Sequence, residues 1–337
     1  MKTPLSIIIL AAGKGTRMKS DKAKVLHPVF DKPMVQHVLT ATEPLNSPNR
    51  IAIIGHQRQV VMDALAKEEC SFAIQEQQLG TAHAVLIAKD KIASECDDVM
   101  ILCGDTPLIS SDVLVEMYAQ HKKKSATLSL MTTILDNPTN YGRIICDAAG
   151  NAIKITEQKD ATEEERKIRE INAGIYCVNK EFLYTALSQI DSNNSQGEFY
   201  LTDILELAVK NGDVVAKFCT DAPKDVLGVN SRVELAEAEA ELRLRRNKKL
   251  MLEGITMVAP DASYVSETSQ VGKDSIIGRG VELRGTCTIG EKCFIDSGVI
   301  LNNCVLANNS HIGPYSYLEN IYETEPVKHK AYTVQQA

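Results

Sequence analysis

The sequence predicts an α/β fold in two parts. Over residues 1–230, short apolar strands alternate with amphipathic helical stretches, which predicts a mostly parallel sheet with helices on both of its faces. Residues 231–252 are rich in strong helix formers and predict a linker helix between two domains. Within 253–321 an aliphatic residue recurs at nearly every sixth position, which predicts a short parallel β-helix. The repeat then stops, so we expect an irregular tail at 322–337.

The predicted sheet rests on four strands and four helices in the first part of the chain. The strands are expected at 7–10, 51–54, 72–74 and 99–102, and the helices at 33–42, 60–67, 82–89 and 110–122. In sheets of this kind ligands bind beyond the carboxyl ends of the strands. Gly13 and Asp105 each come shortly after a predicted strand, so we expect both at the binding edge.

The second part is defined by its repeat. Each short strand of a β-helix points one large aliphatic side chain into a narrow prism and leaves room for a small residue near the corner. The aliphatic positions are Val265, Val271, Ile277, Leu283, Ile289, Ile295, Leu301, Leu306, Ile312 and Leu318. The small or β-branched positions are Ser269, Ser275, Val281, Cys287, Cys293, Val299, Val305, Ser310 and Ser316. The run resembles the left-handed hexapeptide-repeat helix of acyltransferases, and at three strands per coil it gives about three coils.

Composition narrows the class of protein. A chain of 337 residues holds about two domains, and its net charge of −7 argues against nucleic acid as the main partner. Nine cysteines, without a Cys-x-x-Cys pair, suit reduced thiols better than disulfides or a zinc site. The sequence shows no signal-peptide pattern and no apolar run of the ~20 residues that span a bilayer. We therefore expect a soluble, cytoplasmic protein without a membrane partner.

The loop after the first predicted strand carries the most chemical information. Residues 7–18 read IIILAAGKGTRM, a buried strand that enters a small-residue turn where backbone N–H groups can approach a phosphate. Gly13 and Gly15 lack the third glycine of the dinucleotide fingerprint and the Gly-Lys-Ser/Thr of the ATPase P-loop. Arg17 and Lys24 add two cations. The loop therefore predicts a triphosphate site of another type.

Three other side chains are candidates from their chemistry. Asp105 ends a strand, where a carboxylate can hold Mg²⁺, although an aspartate in this position is often only a turn former. Gln75 carries an amide that can donate and accept, and so can match a pyrimidine edge. We interpret His83 as a packed or surface histidine rather than a base, because phosphate oxygens attack without deprotonation at neutral pH.

The loop LAAGKGTRM, the segment KVL at Lys24 and the motif GDTPL at Asp105 resemble the sugar-1-phosphate nucleotidyltransferases. Within them the chain is most similar to bacterial N-acetylglucosamine-1-phosphate uridylyltransferases, which form one half of a bifunctional uridylyltransferase/acetyltransferase. The resemblance covers residues 5 to about 320. It implies a Rossmann-like sheet, UTP and N-acetylglucosamine 1-phosphate as substrates, Mg²⁺ as cofactor, and a role in cell-envelope precursor synthesis.

The resemblance also implies roles for individual residues. The resemblance assigns catalysis to Arg17 and Lys24. It assigns nucleotide binding to Leu10, Ala11, Ala12, Gly13, Lys24, Gln75, Gly80 and Thr81. It assigns sugar binding to Cys103, Gly104, Asp105, Gly142, Glu157, Asn172 and Asn230. Metal binding is assigned to Asp105 and Asn230. Thr202 is expected to contact a phosphate. Taken alone, the sequence also predicts Thr81 and Asn230 as helix N-caps.

The chain differs from the family in two respects, and three alternative functions remain open. Many members have proline before the catalytic lysine, whereas this chain has Ala23, so we expect a less preorganised loop. About three coils are too few for an acetyl-CoA site, so we expect no acetyltransferase activity and at most a weak homotrimer. The alternatives are a nucleotidyltransferase for another sugar, a hexapeptide acyltransferase using His311, and a non-catalytic regulatory subunit, which should have lost Lys24 or Asp105.

Overall fold

The computed structural model describes residues 4–337. The strands up to residue 220 are β1 Leu5–Ala11, β2 Pro28–Val29, β3 Lys32–Pro33, β4 Asn49–Ile54, β5 Ser71–Ile74, β6 Asp98–Cys103, β7 Leu128–Ile134, β8 Arg143–Cys146, β9 Ala152–Thr156, β10 Glu170–Asn179 and β11 Val215–Cys219. The helices are α1 Met34–Thr42, α2 Arg58–Ala64, α3 Thr81–Ile87, α4 Ser111–Lys123, α5 Glu163–Arg166, α6 Lys180–Leu187, α7 Ile204–Asn211, α8 Pro223–Val226 and α9 Arg232–Leu252. Short 3₁₀ turns include Thr16–Met18, Lys24–Leu26 and Leu201–Asp203.

The chain divides into two compact units. The first holds the residues up to Pro28 together with Lys32–Glu234, and the second holds Val29–Asp31 with Leu235–Ala337. The boundary at Glu234 falls in the first turn of α9, whose bounds lie within the predicted helix 231–252. No helix within the described residues is long and apolar enough to cross a membrane.

The sheet of the first unit has the strand order β11-β7-β10-β6-β1-β4-β5. Strands β6, β1, β4 and β5 run parallel, as predicted, whereas β10 is antiparallel to both β6 and β7. The central strand β1 is buried on both faces: Ile7 and Ile9 join a core with α1, α2 and α4, and Ile8 joins a second core with α3, α6 and α7. The predicted layering of helices on both faces is thus confirmed.

The second unit contains a parallel β-helix. Its strands are β12 Thr256–Met257, β13 Tyr264–Val265, β14 Gln270–Val271, β15 Ile276–Ile277, β16 Glu282–Arg284, β17 Thr288–Ile289, β18 Phe294–Ile295, β19 Ile300–Asn302, β20 Val305–Leu306, β21 His311–Ile312, β22 Tyr317–Glu319, β23 Tyr322–Glu323, β24 Lys328–His329 and β25 Val334–Gln336. Within residues 4–337 they form three parallel sheets of five, five and four strands. Cys287 and Cys293 are buried in the prism, as predicted, but the corner assigned to Val305 is filled by Cys304, because the five-residue step moves it by one position.

The predicted irregular tail is wrong. Residues 322–337 form a further coil, so the β-helix has more than the three coils expected. Glu323, His329 and Gln335 continue the inward register of the aliphatic positions in the coil before. The aliphatic repeat therefore disappears, while the backbone ladder continues, for example through the 2.8 Å bond from the Tyr317 N–H to the carbonyl of Thr333.

A buried polar network lies at the amino end of β6, opposite the binding edge. The Asp98 carboxylate accepts from Lys122 Nζ at 2.8 Å and from the Tyr118 hydroxyl at 3.3 Å, and it lies 3.4 Å from His121 Nε2. His121 Nδ1 in turn lies 2.8 Å from the Ser129 hydroxyl. The order Ser-His-Asp is that of a hydrolytic triad, but these three residues are only 2–3% exposed, so a substrate cannot reach them. We interpret the network as structural.

We expect Asp98→Asn to lower the free energy of unfolding at neutral pH by about 2 kcal/mol, because it removes the charge of a buried carboxylate that accepts from the half-exposed Lys122 and lies beside the buried His121. Burial raises the pKa of Asp98, but hydrogen bonds from His121 and Lys122 outweigh it, so the net pKa lies below the usual value. The stabilisation is therefore complete above about pH 4, the unfolded pKa, and is lost as the pH falls through the lower folded pKa. Urea unfolding from pH 2 to pH 7 measures this, with exposed Asp97→Asn as the control. Equal acid sensitivity of both variants would contradict the assignment.

Candidate active site

A cavity of about 400 Å³ opens at the carboxyl edge of the parallel strands, beside the ends of β1, β5 and β6. The predicted residues that line it are Leu10, Ala11, Ala12, Gly13, Arg17, Lys24, Gln75, Gly80, Thr81, Cys103, Asp105 and Asn230. Its lining also includes Gln78 and Glu198, which the sequence analysis missed. Both are polar loop residues without a sequence pattern of their own.

Two cations and two oxygen side chains meet at one end of this cavity. Lys24 Nζ donates to the Asp105 carboxylate and, at 2.7 Å, to Asn230 Oδ1. Arg17 Nη2 donates to the same Asn230 oxygen at 2.8 Å. The Lys24 and Asp105 side chains are mostly buried, at 12% and 22% exposure, so solvent screens their charges only in part.

The backbone around Lys24 fixes the position of its ammonium group. Val25 and Leu26 are buried and anchor the 3₁₀ turn that begins at Lys24. Gly15 lies against this turn with a φ of +61°, and a Cβ there would be 2.5 Å from Lys24 Cβ. A side chain at position 15 would thus displace the lysine, which explains the second glycine of the loop.

At Ala23, where the sequence predicts a less preorganised loop, hydrogen bonds to Gln57 restrain the backbone. The Ala23 N–H donates to Gln57 Oε1 at 2.7 Å, and the φ of Ala23 is −51°. That φ lies within the range proline would impose, but proline has no N–H to donate. Gln57 also donates to the Asp21 carbonyl, so one side chain ties the loop at two points.

Asn230 is available to the site because another residue caps α9. The Ser231 hydroxyl accepts from the Glu234 N–H at 3.2 Å, and the Glu234 carboxylate accepts from the Asn230 N–H at 2.7 Å. The predicted N-cap role of Asn230 is therefore wrong: Ser231 caps the helix and leaves the Asn230 amide oxygen facing Lys24.

The other end of the cavity is built from Gln75 and the start of α3. Gln75 Nε2 donates to the Gly80 carbonyl at 3.2 Å. Gly80 has a φ of +119°, and a Cβ there would lie 2.6 Å from the Phe199 backbone nitrogen, so only glycine fits. The hydroxyl of Thr81 accepts from the Leu201 N–H at 3.0 Å instead of capping α3, which corrects the predicted cap.

Three predicted sugar residues lie together but do not line this cavity. The Asn172 N–H donates to the Gly142 carbonyl at 2.9 Å, and Gly142 lies against Glu157. The Asn172 amide bonds to the Tyr176 hydroxyl and to the Gly174 N–H, where β10 has a register shift. Among the described residues, the amide that the sequence assigns to the sugar therefore already has structural partners.

Glu157 faces a second, acidic cavity of about 410 Å³ that also contains Asp160, Asp191, Asp203 and Glu206. Burial, followed by the charge of Asp160, raises the pKa of Glu157 above its usual value. Thr202 is buried and is not among the residues that line the first cavity, where Arg17 and Lys24 lie and where its predicted phosphate contact would be.

Cys103 connects the main cavity to the predicted sugar residues. It lines the cavity, and its Sγ lies 3.6 Å from the Gly174 carbonyl in the irregular part of β10 next to Asn172. Burial, with a smaller effect of the Asp105 charge, raises the Cys103 pKa to about 12, so the side chain is a neutral thiol. Gly104 follows and does not line the cavity; its N–H donates to the Leu10 carbonyl at 2.9 Å and joins the β6 loop to β1.

Comparison with known proteins identifies the family. The nucleotidyl transferase family matches residues 6–241. A protein named bifunctional protein GlmU from Desulfotalea psychrophila is 60% identical over 317 residues, 94% of each chain. A protein of the same name from Listeria monocytogenes is 42% identical over 93% of this chain and 68% of its own. A crystal structure described as that of a glucose-1-phosphate thymidylyltransferase from Bacillus anthracis, with sucrose, superimposes with a TM-score of 0.59 at 21% identity, covering 71% of this chain and 95% of the other.

The crystal structure shares the fold, and the sequence relatives extend the match through most of the β-helix. Together with the match over residues 6–241, they show that the chain belongs to the nucleotidyl transferase family, among the proteins named bifunctional protein GlmU.

Proposed function

We propose that this chain transfers a uridylyl group from UTP to N-acetylglucosamine 1-phosphate, forming UDP-N-acetylglucosamine and pyrophosphate for cell-envelope precursor synthesis. The observation that carries the proposal is the arrangement of one cavity: two cations beside a carboxylate at one end and a buried amide at the other. A triphosphate with a base fits this distribution of charge and hydrogen-bonding groups. Membership of the nucleotidyl transferase family supports the same reaction class.

The reaction requires charge neutralisation and alignment more than proton transfer. An oxygen of the sugar phosphate attacks the α-phosphorus of UTP, the new O–P bond forms, and the bond to the β-phosphate breaks with release of pyrophosphate. Arg17 and Lys24 lie where they can offset the negative charge of the phosphates. Backbone N–H groups of the glycine loop at 11–15 add neutral donors. A general base is unnecessary because the attacking phosphate oxygen carries no proton that must leave.

We call the end of the cavity that contains Arg17, Lys24, Asp105 and Asn230 the phosphate end. The side-chain oxygens at this end fit Mg²⁺. The Asp105 carboxylate and Asn230 Oδ1 both bond the single Lys24 ammonium, so their oxygens converge on one cation-sized position. No group of three or more His, Cys, Asp or Glu suited to a metal is found among residues 4–337. Mg²⁺ commonly takes only one or two protein oxygens and fills its shell with water and substrate phosphates. When bound, Mg²⁺ would supply further positive charge beside the phosphates.

The proposal is tested by following pyrophosphate release from the purified chain. UTP is combined with N-acetylglucosamine 1-phosphate, glucosamine 1-phosphate or glucose 1-phosphate, and each pair is repeated with TTP. We expect the pair UTP and N-acetylglucosamine 1-phosphate to give the highest kcat/KM. A higher kcat/KM for another sugar phosphate or for TTP would assign the chain to a different sugar nucleotide.

The absence of acetyltransferase activity stays a prediction. The coils contain His311 and His329, each within 4 Å of a carboxylate, so histidine alone does not decide the matter. Incubation with acetyl-CoA and glucosamine 1-phosphate should give no thiol release above the rate without the amino sugar. The homotrimer likewise remains a proposal, to be measured by sedimentation.

A further inference from the structure

The Gln75 amide has one orientation that its neighbours permit. The residue is 3% exposed, and its Nε2 lies 3.2 Å from the Gly80 carbonyl oxygen, which can only accept a hydrogen bond. A flipped amide would place two acceptors against each other, so the atom near Gly80 must be the nitrogen. The same Nε2 lies 3.1 Å from His83 Nδ1. Because the amide nitrogen only donates, Nδ1 must accept, and the imidazole proton is then on Nε2 of His83.

Both protons of the amide are therefore directed into the protein. Neither hydrogen bond of this amide within the described residues uses Oε1, and Gln75 lines the cavity. Its carbonyl oxygen is the atom left to meet a nucleobase. Uracil and thymine present an N–H at ring position 3 that can donate to it, whereas cytosine presents a lone pair there and would place two acceptors in contact.

We propose that His83 is a positioning residue: its Nδ1 holds the Gln75 amide with the oxygen toward the base, so the enzyme accepts a base with an imino N–H and rejects cytosine. The inference rests on the proposed function. His83 is the third residue of α3 and is not among the residues that line the cavity, so it acts through Gln75. Without it, the Gly80 carbonyl is the one hydrogen-bond partner left to this amide within residues 4–337, and the terminal torsion of the amide has a broad, roughly two-fold profile.

The test compares His83→Phe, which removes the acceptor, with His83→Asn, whose amide oxygen can occupy the position of Nδ1. For each protein, kcat and KM are measured with UTP and with CTP, and thermal unfolding checks the fold. We expect His83→Phe to raise the KM for UTP about tenfold and to reduce the UTP:CTP ratio of kcat/KM about tenfold, with kcat within about twofold. His83→Asn should stay within about threefold of the wild type in all these values.

An unchanged UTP:CTP ratio in His83→Phe would overturn the inference, as would an equal loss in both variants with a lower melting temperature, which would mean a packing role. The proposed function fails separately. If the wild type uses TTP better than UTP, uridylyl specificity is wrong but the orientation of Gln75 stands, because thymine has the same imino N–H. If it forms no sugar nucleotide, calorimetric titration of UTP and CTP into the three proteins still measures the discrimination.

Discussion

Replacing Lys24 by alanine should lower kcat about 100- to 1,000-fold while changing the KM for UTP much less. Its ammonium lies beside Asp105 and Asn230 at the phosphate end, where negative charge accumulates as the reaction proceeds, whereas the base end depends on Gln75. Steady-state kinetics with both substrates varied makes the measurement.

Exposed Lys22→Ala is the matched control, because it removes the same charge two residues away from Lys24. It should leave kcat within about twofold. If Lys24→Ala left kcat unchanged and raised only the KM for UTP, the ammonium would hold the substrate in the ground state without stabilising the transition state.

Asp105→Asn should remove most activity at limiting Mg²⁺, with a fall in kcat of about 100-fold. The substitution preserves volume and takes away the charge of the carboxylate that lies beside Lys24 and Asn230. A hard cation binds a neutral amide oxygen more weakly, so raising the Mg²⁺ concentration should restore part of the rate.

The control for this variant is exposed Asp221→Asn, with the melting temperature of both proteins as the check on the fold. Near-wild-type turnover of Asp105→Asn at low Mg²⁺ would exclude the carboxylate as a ligand. A fall in activity that no Mg²⁺ concentration reverses, with an unchanged melting temperature, would assign Asp105 to holding Lys24 instead.

The strands and helices predicted for the first unit agree with the structure because burial determines where apolar residues occur in the sequence. The strand β1 is apolar throughout since helices cover both of its faces. The antiparallel direction of β10 was not predicted, because strand direction leaves no mark on hydrophobic periodicity. The last coil escaped because its inward register positions are Glu323, His329 and Gln335.

The motifs predicted some residues of the site but not the contacts between them. Motif resemblance brings together Arg17, Lys24, Asp105 and Asn230, which lie far apart in the chain and meet in one cavity. It could not predict that Glu157 lines a separate cavity, because that depends on how the β8–β9 hairpin packs. Nor could it predict the bond of Gln75 to His83, since the motif order does not say which side chains touch across the start of α3.

The hydrogen bond from the Ala23 N–H to Gln57 Oε1 makes the residues allowed at these two positions depend on each other. A proline at position 23 would remove the N–H donor from the loop and leave the Gln57 acceptor without its partner. If Gln57 were replaced first, the Ala23 N–H would already lack this acceptor, and a proline at position 23 would then break no hydrogen bond. A redesign that introduces proline at position 23 alone would therefore loosen the turn that holds Lys24, so positions 23 and 57 should be changed together.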